Sequence, residues 1–241
     1  MIECTKEKFN FNDLLEIMAL LRTACPWDKA QTHLSIRNNF LEEVYEVCDA
    51  IDLNDSIALC EELGDVMLQV VFHSEIAKNE AGFDINDVTT AVCKKLILRH
   101  PHIFGTVEVN GSEDVLNNWD DIKRLEKGHE TTAEAMKAIA KALPALMRAE
   151  KVQAKAAKAG FGFESTDDII GEVISKLNKL KTEISKGGDT AGECGDLLFA
   201  ATNLSRFLGL SSENILTNAT EKFIDRFQKT EQAALNEGAK F

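Results

Sequence analysis

The chain has 241 residues, 44% hydrophobic and 28% charged, a globular profile with length enough for one large domain or two small ones. Forty acids against 27 Lys and Arg give a net charge of −13, which argues against a nucleic-acid partner, because neutralising phosphates needs clustered bases. An anionic small molecule stays open as a ligand if a metal offsets the repulsion.

No run of about 18 apolar residues occurs, so no membrane partner is expected. Met1 to Asn12 carry charges and no apolar run, unlike a secretory signal. Six cysteines (Cys4, Cys25, Cys48, Cys60, Cys93 and Cys194) show no CxxC spacing. That predicts a reduced, cytoplasmic setting and thiols that serve as small core hydrophobes. Prolines number three, alternating β-branched runs are scarce and 3.6-residue periodicity dominates, so the fold is predicted to be mostly α.

The first helix is expected to start at Asn12 or Asp13 and to end near Pro26, which forces Cys25 out of helical geometry. The segment Pro26 to Ser35 (PWDKAQTHLS) reads either as a pocket-lining loop or as a capped turn with Trp27 packed on the core. A helix over Leu41–Ile51 follows. Leu41, Val44, Cys48 and Ile51 form its apolar stripe, with Glu42, Glu43, Glu46 and Asp49 opposite. A solvated acidic face is the ordinary reading, although like charges four apart repel by a few tenths of a kcal/mol.

From Leu63 to Phe72 the next helix is apolar nearly all round, apart from Asp65 and Gln69. Such a helix is expected to be buried, and an acid in it needs a cationic partner or a metal. Residues three and four apart share a helix face, so Glu43 and Glu46 converge, as do Glu62 and Asp65. Antiparallel packing of the two helices would gather four carboxylates into a hard-cation site.

A third helix, Ile85 to Arg99, is expected to be capped by Asp84 or Asn86 and stopped by His100-Pro101-His102. It ends in Lys94, Lys95 and Arg99, where the helix dipole favours cations; they are either solvated or placed for a triphosphate. A short helix surrounds Trp119, from Asn117 to Leu125. The polar stretch His129 to Thr132 marks the expected boundary, dividing the chain into 1–128 and 129–241. Beyond it, a helix from Ala133 through Pro144 to Ala159 is followed by helices over Ile169–Ile184, Glu193–Leu208 and Glu213–Leu235.

The chain echoes itself. Gly192-Glu193-Cys194-Gly195-Asp196-Leu197-Leu198-Phe199 matches Glu61-Glu62-Leu63-Gly64-Asp65-Val66-Met67-Leu68, and Lys222 to Arg226 matches Lys95 to Arg99. This points to a duplicated helical unit with a loop two residues shorter in the second copy. On that register Ser175, Lys176 and Lys179 replace Glu42, Glu43 and Glu46. The lysines are placed to neutralise Glu193 and Asp196, so a divalent cation is not expected there.

The EExxE of Glu42, Glu43 and Glu46, the ExxD of Glu62 and Asp65, and the runs CPWDKAQTH (Cys25 to His33), GDVMLQVVFHSEIA (Gly64 to Ala77), RHPHIFG (Arg99 to Gly105), PALMRAEKVQ (Pro144 to Gln153) and GDLLFAATNLSR (Gly195 to Arg206) resemble the MazG-type nucleoside triphosphate pyrophosphohydrolases. The resemblance covers nearly the whole chain. It implies the all-α pyrophosphohydrolase fold, a homodimer, and Mg²⁺-dependent conversion of NTP and water to NMP and pyrophosphate, with Mn²⁺ as a substitute ion. Carried over by position, Glu43, Glu46, Glu62 and Asp65 are the metal ligands. Glu42 orients or deprotonates the attacking water, and Lys95 and Arg99 contact phosphate. In two-repeat members the C-terminal copy can be the principal catalytic unit. Here that copy lacks EExxE, which puts the expected activity in the N-terminal half.

Two rival readings stand beside this one. A ferritin-like di-metal protein needs two ExxH pairs on separate helices, and only Glu126 to His129, interrupted by Gly128, has that spacing. A non-enzymatic nucleotide-binding or regulatory module with vestigial carboxylates is the second.

Overall fold

The computed structural model describes residues 6–128 and 131–236, and among these every regular element is a helix. The chain divides into two compact units, Met1–Ile122 and Lys123–Phe241. His129 and Glu130, at the boundary expected from sequence, lie outside the described residues.

The first unit opens with α1 (Phe11–Ala24), which starts earlier than its sequence suggested because Asn10 forms a capping box. The Asn10 side chain accepts from the Asn12 and Asp13 N–H groups, and the Asp13 carboxylate accepts the Asn10 N–H at 2.6 Å. Such a cap stabilises a helix start by about 1 kcal/mol. The short α2 (Pro26–Ala30) then turns the chain into α3 (Arg37–Asp52).

A connection of Leu53, Asn54 and Asp55 folds α3 back onto α4 (Ser56–Glu80). Asn54 takes the left-handed conformation at φ 54°, which Asn tolerates better than other non-glycine residues. Asp55 caps α4 by accepting from the Ile57 and Ala58 N–H groups at 2.9 and 3.1 Å. α1 packs on α4, and the core forms from Met18, Ile36, Val71, Phe72 and Ile76. α5 (Ile85–Arg99), capped by Asp84, leads into the single turn α6 (Pro101–Phe104), and the division between the units falls within the next helix, α7 (Ser112–Lys127).

The second unit holds α8 (Thr132–Lys137), α9 (Ala145–Lys158), α10 (Thr166–Lys186), α11 (Thr190–Phe207) and α12 (Ser212–Asn236), with the α10–α11 hairpin packed on α9 through α11. Gly187, left-handed at φ 68°, ends α10, and Asp189 caps α11. Pro144 is the N-cap of α9, so two helices stand where the sequence suggested one. Proline bars its predecessor from helical geometry and supplies no N–H to a helix interior.

Burial departs from expectation on the α3–α4 hairpin. α3 meets α4 through the face holding Glu43, Val47 and buried Ala50, while its stripe of Leu41, Val44, Cys48 and Ile51 is exposed. Along Leu63–Phe72, Val71 and Phe72 are core, yet Leu63 and Met67 are 50% and 46% exposed. Apolar helix surface here exceeds what the described part of this unit covers. The cysteines follow the same pattern: Cys48, Cys60, Cys93 and Cys194 are exposed and Cys25 is half-buried, not core, while Cys4 lies outside the described residues. Among the described residues, no helix is long and apolar enough to cross a membrane.

Candidate metal centre

The α3–α4 hairpin places Glu43 of α3 opposite Glu62 and Asp65 of α4, one carboxylate oxygen from each lying within 4.8 Å of the others. Helix spacing puts Glu62 and Asp65 on one face, and the short Asn54–Asp55 turn sets the register that brings Glu43 across from them. All three are half-buried.

The charges reinforce one another. The Glu43 carboxyl is pushed above its usual range by burial, then by Asp65 and Glu46, against a lowering hydrogen bond from Gln69. The Glu62 carboxyl is raised by burial, then by Glu46, Glu61, Asp65 and Glu43. Lys95 and Arg99 are not among the principal charges acting on either acid. The donors are hard carboxylate oxygens without thiol or imidazole, a set that suits a divalent cation such as Mg²⁺ better than a soft metal.

Glu46 is exposed and outside the converging group, but its charge acts on both Glu43 and Glu62, so it belongs to the rim of the cluster. Glu42 is exposed and outside the converging group; one residue along a helix turns the side chain by about 100°. Lys95 is exposed on α5. Arg99 is 7% exposed, with its guanidinium 5.0 Å over the Trp119 ring. Of the seven residues singled out in the sequence, the structure brings Glu43, Glu62 and Asp65 together and sets Glu46 beside them, while Glu42, Lys95 and Arg99 lie outside the converging group.

One residue passed over in the sequence stands next to the acids. Gln69, 7% exposed, donates its amide N–H to Glu43 Oε1 at 3.4 Å. A lone polar residue in an apolar helix, one turn beyond an acid, was the signal available.

The segment Pro26–Ser35 begins as the short helix α2 and closes in a hydrogen-bonded turn. Arg22 Nη1 donates to the Asp28 and Gln31 carbonyls, and Thr32 and Ser35 exchange backbone-to-hydroxyl bonds of 2.9 and 3.2 Å. Trp27, however, is 60% exposed and only flanks Phe72, with ring centroids 6.5 Å apart. His33 leaves this turn to meet His73 of α4. Their Nδ1 atoms are 2.8 Å apart with ring planes within 6° and centroids 5.1 Å apart. Ring faces do not approach closer than about 3.5 Å, so the rings lie edge to edge in an N–H···N hydrogen bond.

The second unit presents a different pairing. Lys176 of α10 bonds Asp196 of α11 at 2.7 Å and lies 3.7 Å from Glu172. The Asp196 carboxyl is held below its usual range by that hydrogen bond and by the Lys176 charge, and Lys176 is raised in turn by the bond to Asp196.

Comparison with known proteins places these features. Residues 31–104, which include every candidate residue from Glu42 to Arg99, match the model of the MazG nucleotide pyrophosphohydrolase domain. The chain is 40% identical over 232 residues to the nucleoside triphosphate pyrophosphohydrolase of Escherichia coli K12, covering 93% of this chain and 88% of that protein. It is 39% identical over 230 residues to the nucleoside triphosphate pyrophosphohydrolase/pyrophosphatase MazG of Thermotoga maritima, covering 95% and 88%. The corresponding protein of Mycolicibacterium smegmatis is 36% identical over 188 residues, 75% of this chain and 58% of that one. With such identity carried across most of both chains, and the acidic hairpin inside the matched domain, the chain belongs to the MazG nucleoside triphosphate pyrophosphohydrolase family.

Proposed function

We propose that the first unit hydrolyses nucleoside triphosphates to the monophosphate and pyrophosphate with Mg²⁺, or Mn²⁺ in its place. The observation that carries this reading is the convergence of Glu43, Glu62 and Asp65 in a cluster whose principal neighbours are other acids. With Glu46 at the rim, these residues are the ones that would hold the ion. Bound Mg²⁺ supplies charge compensation for the phosphates and lowers the pKa of a bound water.

The remaining roles fall to the chain's own groups. Glu42, beside the cluster on α3, orients the attacking water or takes its proton. Lys95 and Arg99 on α5 bind the phosphates. Positioning and charge stabilisation dominate phosphoryl chemistry, so no nucleophilic side chain is needed.

The second unit reads as a degenerate copy of the first. Supporting this, Lys176 and Asp196 face each other across α10 and α11, at the positions the repeat register equates with Glu43 and Asp65. A lysine ammonium occupies the place of the cation. The enzyme is taken to be cytoplasmic and to act as a homodimer, a reading favoured by five apolar side chains of one hairpin left 40–56% exposed: Leu41, Val44, Ile51, Leu63 and Met67. Surfaces of that kind mark association sites.

The test is a panel of NTPs and dNTPs with Mg²⁺, resolved by product. NMP with pyrophosphate is expected; NDP with phosphate, or nucleotide binding without turnover, would overturn the proposal, the latter in favour of a regulatory module.

A further inference from the structure

Gln69 is a buried polar group of the first unit whose bonding the fold leaves half finished. It sits one turn after Asp65 on α4, on the same face, and is 7% exposed. Its amide nitrogen donates to Glu43 Oε1 at 3.4 Å, while its own carbonyl oxygen is buried and has no hydrogen-bond partner. The orientation of the amide follows from chemistry: a carboxylate accepts, so the NH₂ end must face Glu43.

Buried polar groups in folded proteins are nearly always satisfied, and an orphaned acceptor calls for an explanation. The Glu43 side of the amide provides one. A carboxylate in a crowded acidic cluster is driven to rotate away from its neighbours. A donor fixed in the helix opposite restrains it, while the idle carbonyl is free to take a proton donor that arrives with a ligand.

The chain contains its own control. In the echoing run of the second unit, GDLLFA against GDVMLQ, the position of Gln69 is taken by Ala200, which is 6% exposed. There the partner across the hairpin is Lys176, bonded directly to Asp196. Where there is no carboxylate to orient, there is no amide.

We propose that Gln69 is a positioning residue of the metal centre, holding Glu43 in the rotamer that ligates the cation through its N–H···Oε1 bond. The inference rests on the proposed role of Glu43, Glu62 and Asp65 as ligands. Groups that hold metal ligands in place typically alter metal affinity 10–100-fold when removed.

The experiment is a Mn²⁺ titration of the full chain followed by the electron paramagnetic resonance signal of free Mn²⁺, with thermal melting of the metal-free protein alongside. Two variants are compared: Gln69→Met, which keeps length without the donor, and Gln69→Ala, the residue the second unit tolerates. Both should weaken Mn²⁺ binding about tenfold or more, by similar factors, whatever their separate melting temperatures. Wild-type affinity in the folded variants, with melting temperature falling further for Ala than for Met, would show a packing role and overturn the proposal. Failure of the wild type itself to bind Mn²⁺ would instead remove the metal centre, and this inference with it.

Discussion

Glu43 and Glu62 make opposite contributions to stability with and without a cation. Both carboxyls are raised above the ordinary value of 4.5 by burial and by neighbouring acids. The folded metal-free chain therefore holds more protons than the unfolded chain at pH values just above 4.5. Stability falls as pH rises through that window, and the repulsion is felt in full at neutral pH. A bound cation reverses this. At a hundredfold excess over its dissociation constant, a ligand specific to the folded state adds about 2.7 kcal/mol. Mg²⁺ should thus raise the melting temperature distinctly at pH 7.5 and far less at pH 4.5, and calorimetry checks it. An equal rise at both values would contradict ligation by these two acids.

At the scale of elements, the α3–α4 hairpin was legible in outline. Glu43, Glu62 and Asp65 could be placed together because helix periodicity and two short acidic motifs fix their faces. The facing of α3 was not legible. Its apolar stripe of Leu41, Val44, Cys48 and Ile51 looked like the surface that packs, whereas the structure packs Glu43, Val47 and Ala50 against α4. Periodicity identifies a stripe but not what covers it. Helix starts were missed for a related reason: Asn10 and Asp55 act through bonds to specific N–H groups, which residue type alone marks only loosely. Gln69 stood out only as a polar residue in an apolar helix, because periodicity does not show which side chain faces it across the hairpin.

The joint between the Pro26–Ser35 turn and α4 adds a pH dependence that the sequence did not suggest. Burial, and then His33, hold the His73 imidazole below its ordinary 6.5. The unfolded chain binds this proton more readily, so stability is lost as pH falls below about 6.5. One imidazole must donate and the other accept, so double protonation breaks the His33–His73 bond. Melting temperatures of wild type and His73→Asn should diverge with pH: the wild type loses more between pH 7.5 and 5.5. A pH-independent difference between the two would contradict this account of the joint.

For the molecule as a whole, the apolar face of the α3–α4 hairpin that the described part of the first unit leaves exposed is a candidate contact surface. If a second copy covers it, replacing Leu41 and Met67 together by glutamate should convert a species of twice 26.6 kDa into one of 26.6 kDa by light scattering, because a buried unpaired charge is strongly disfavoured. A 26.6 kDa wild type would contradict it.

The proposed division of labour between the units rests on Glu43 and Asp65 in one hairpin against Lys176 and Asp196 in the other. The most direct measurement is Mg²⁺-dependent pyrophosphate release by three proteins: wild type, Asp65→Asn and Glu193→Gln. Asp65→Asn should lose at least a hundredfold in turnover, the scale of several kcal/mol in activation free energy, while Glu193→Gln stays within about twofold of wild type. The reverse pattern, with turnover surviving Asp65→Asn and lost in a folded Glu193→Gln, would put the active site in the second unit and contradict the account.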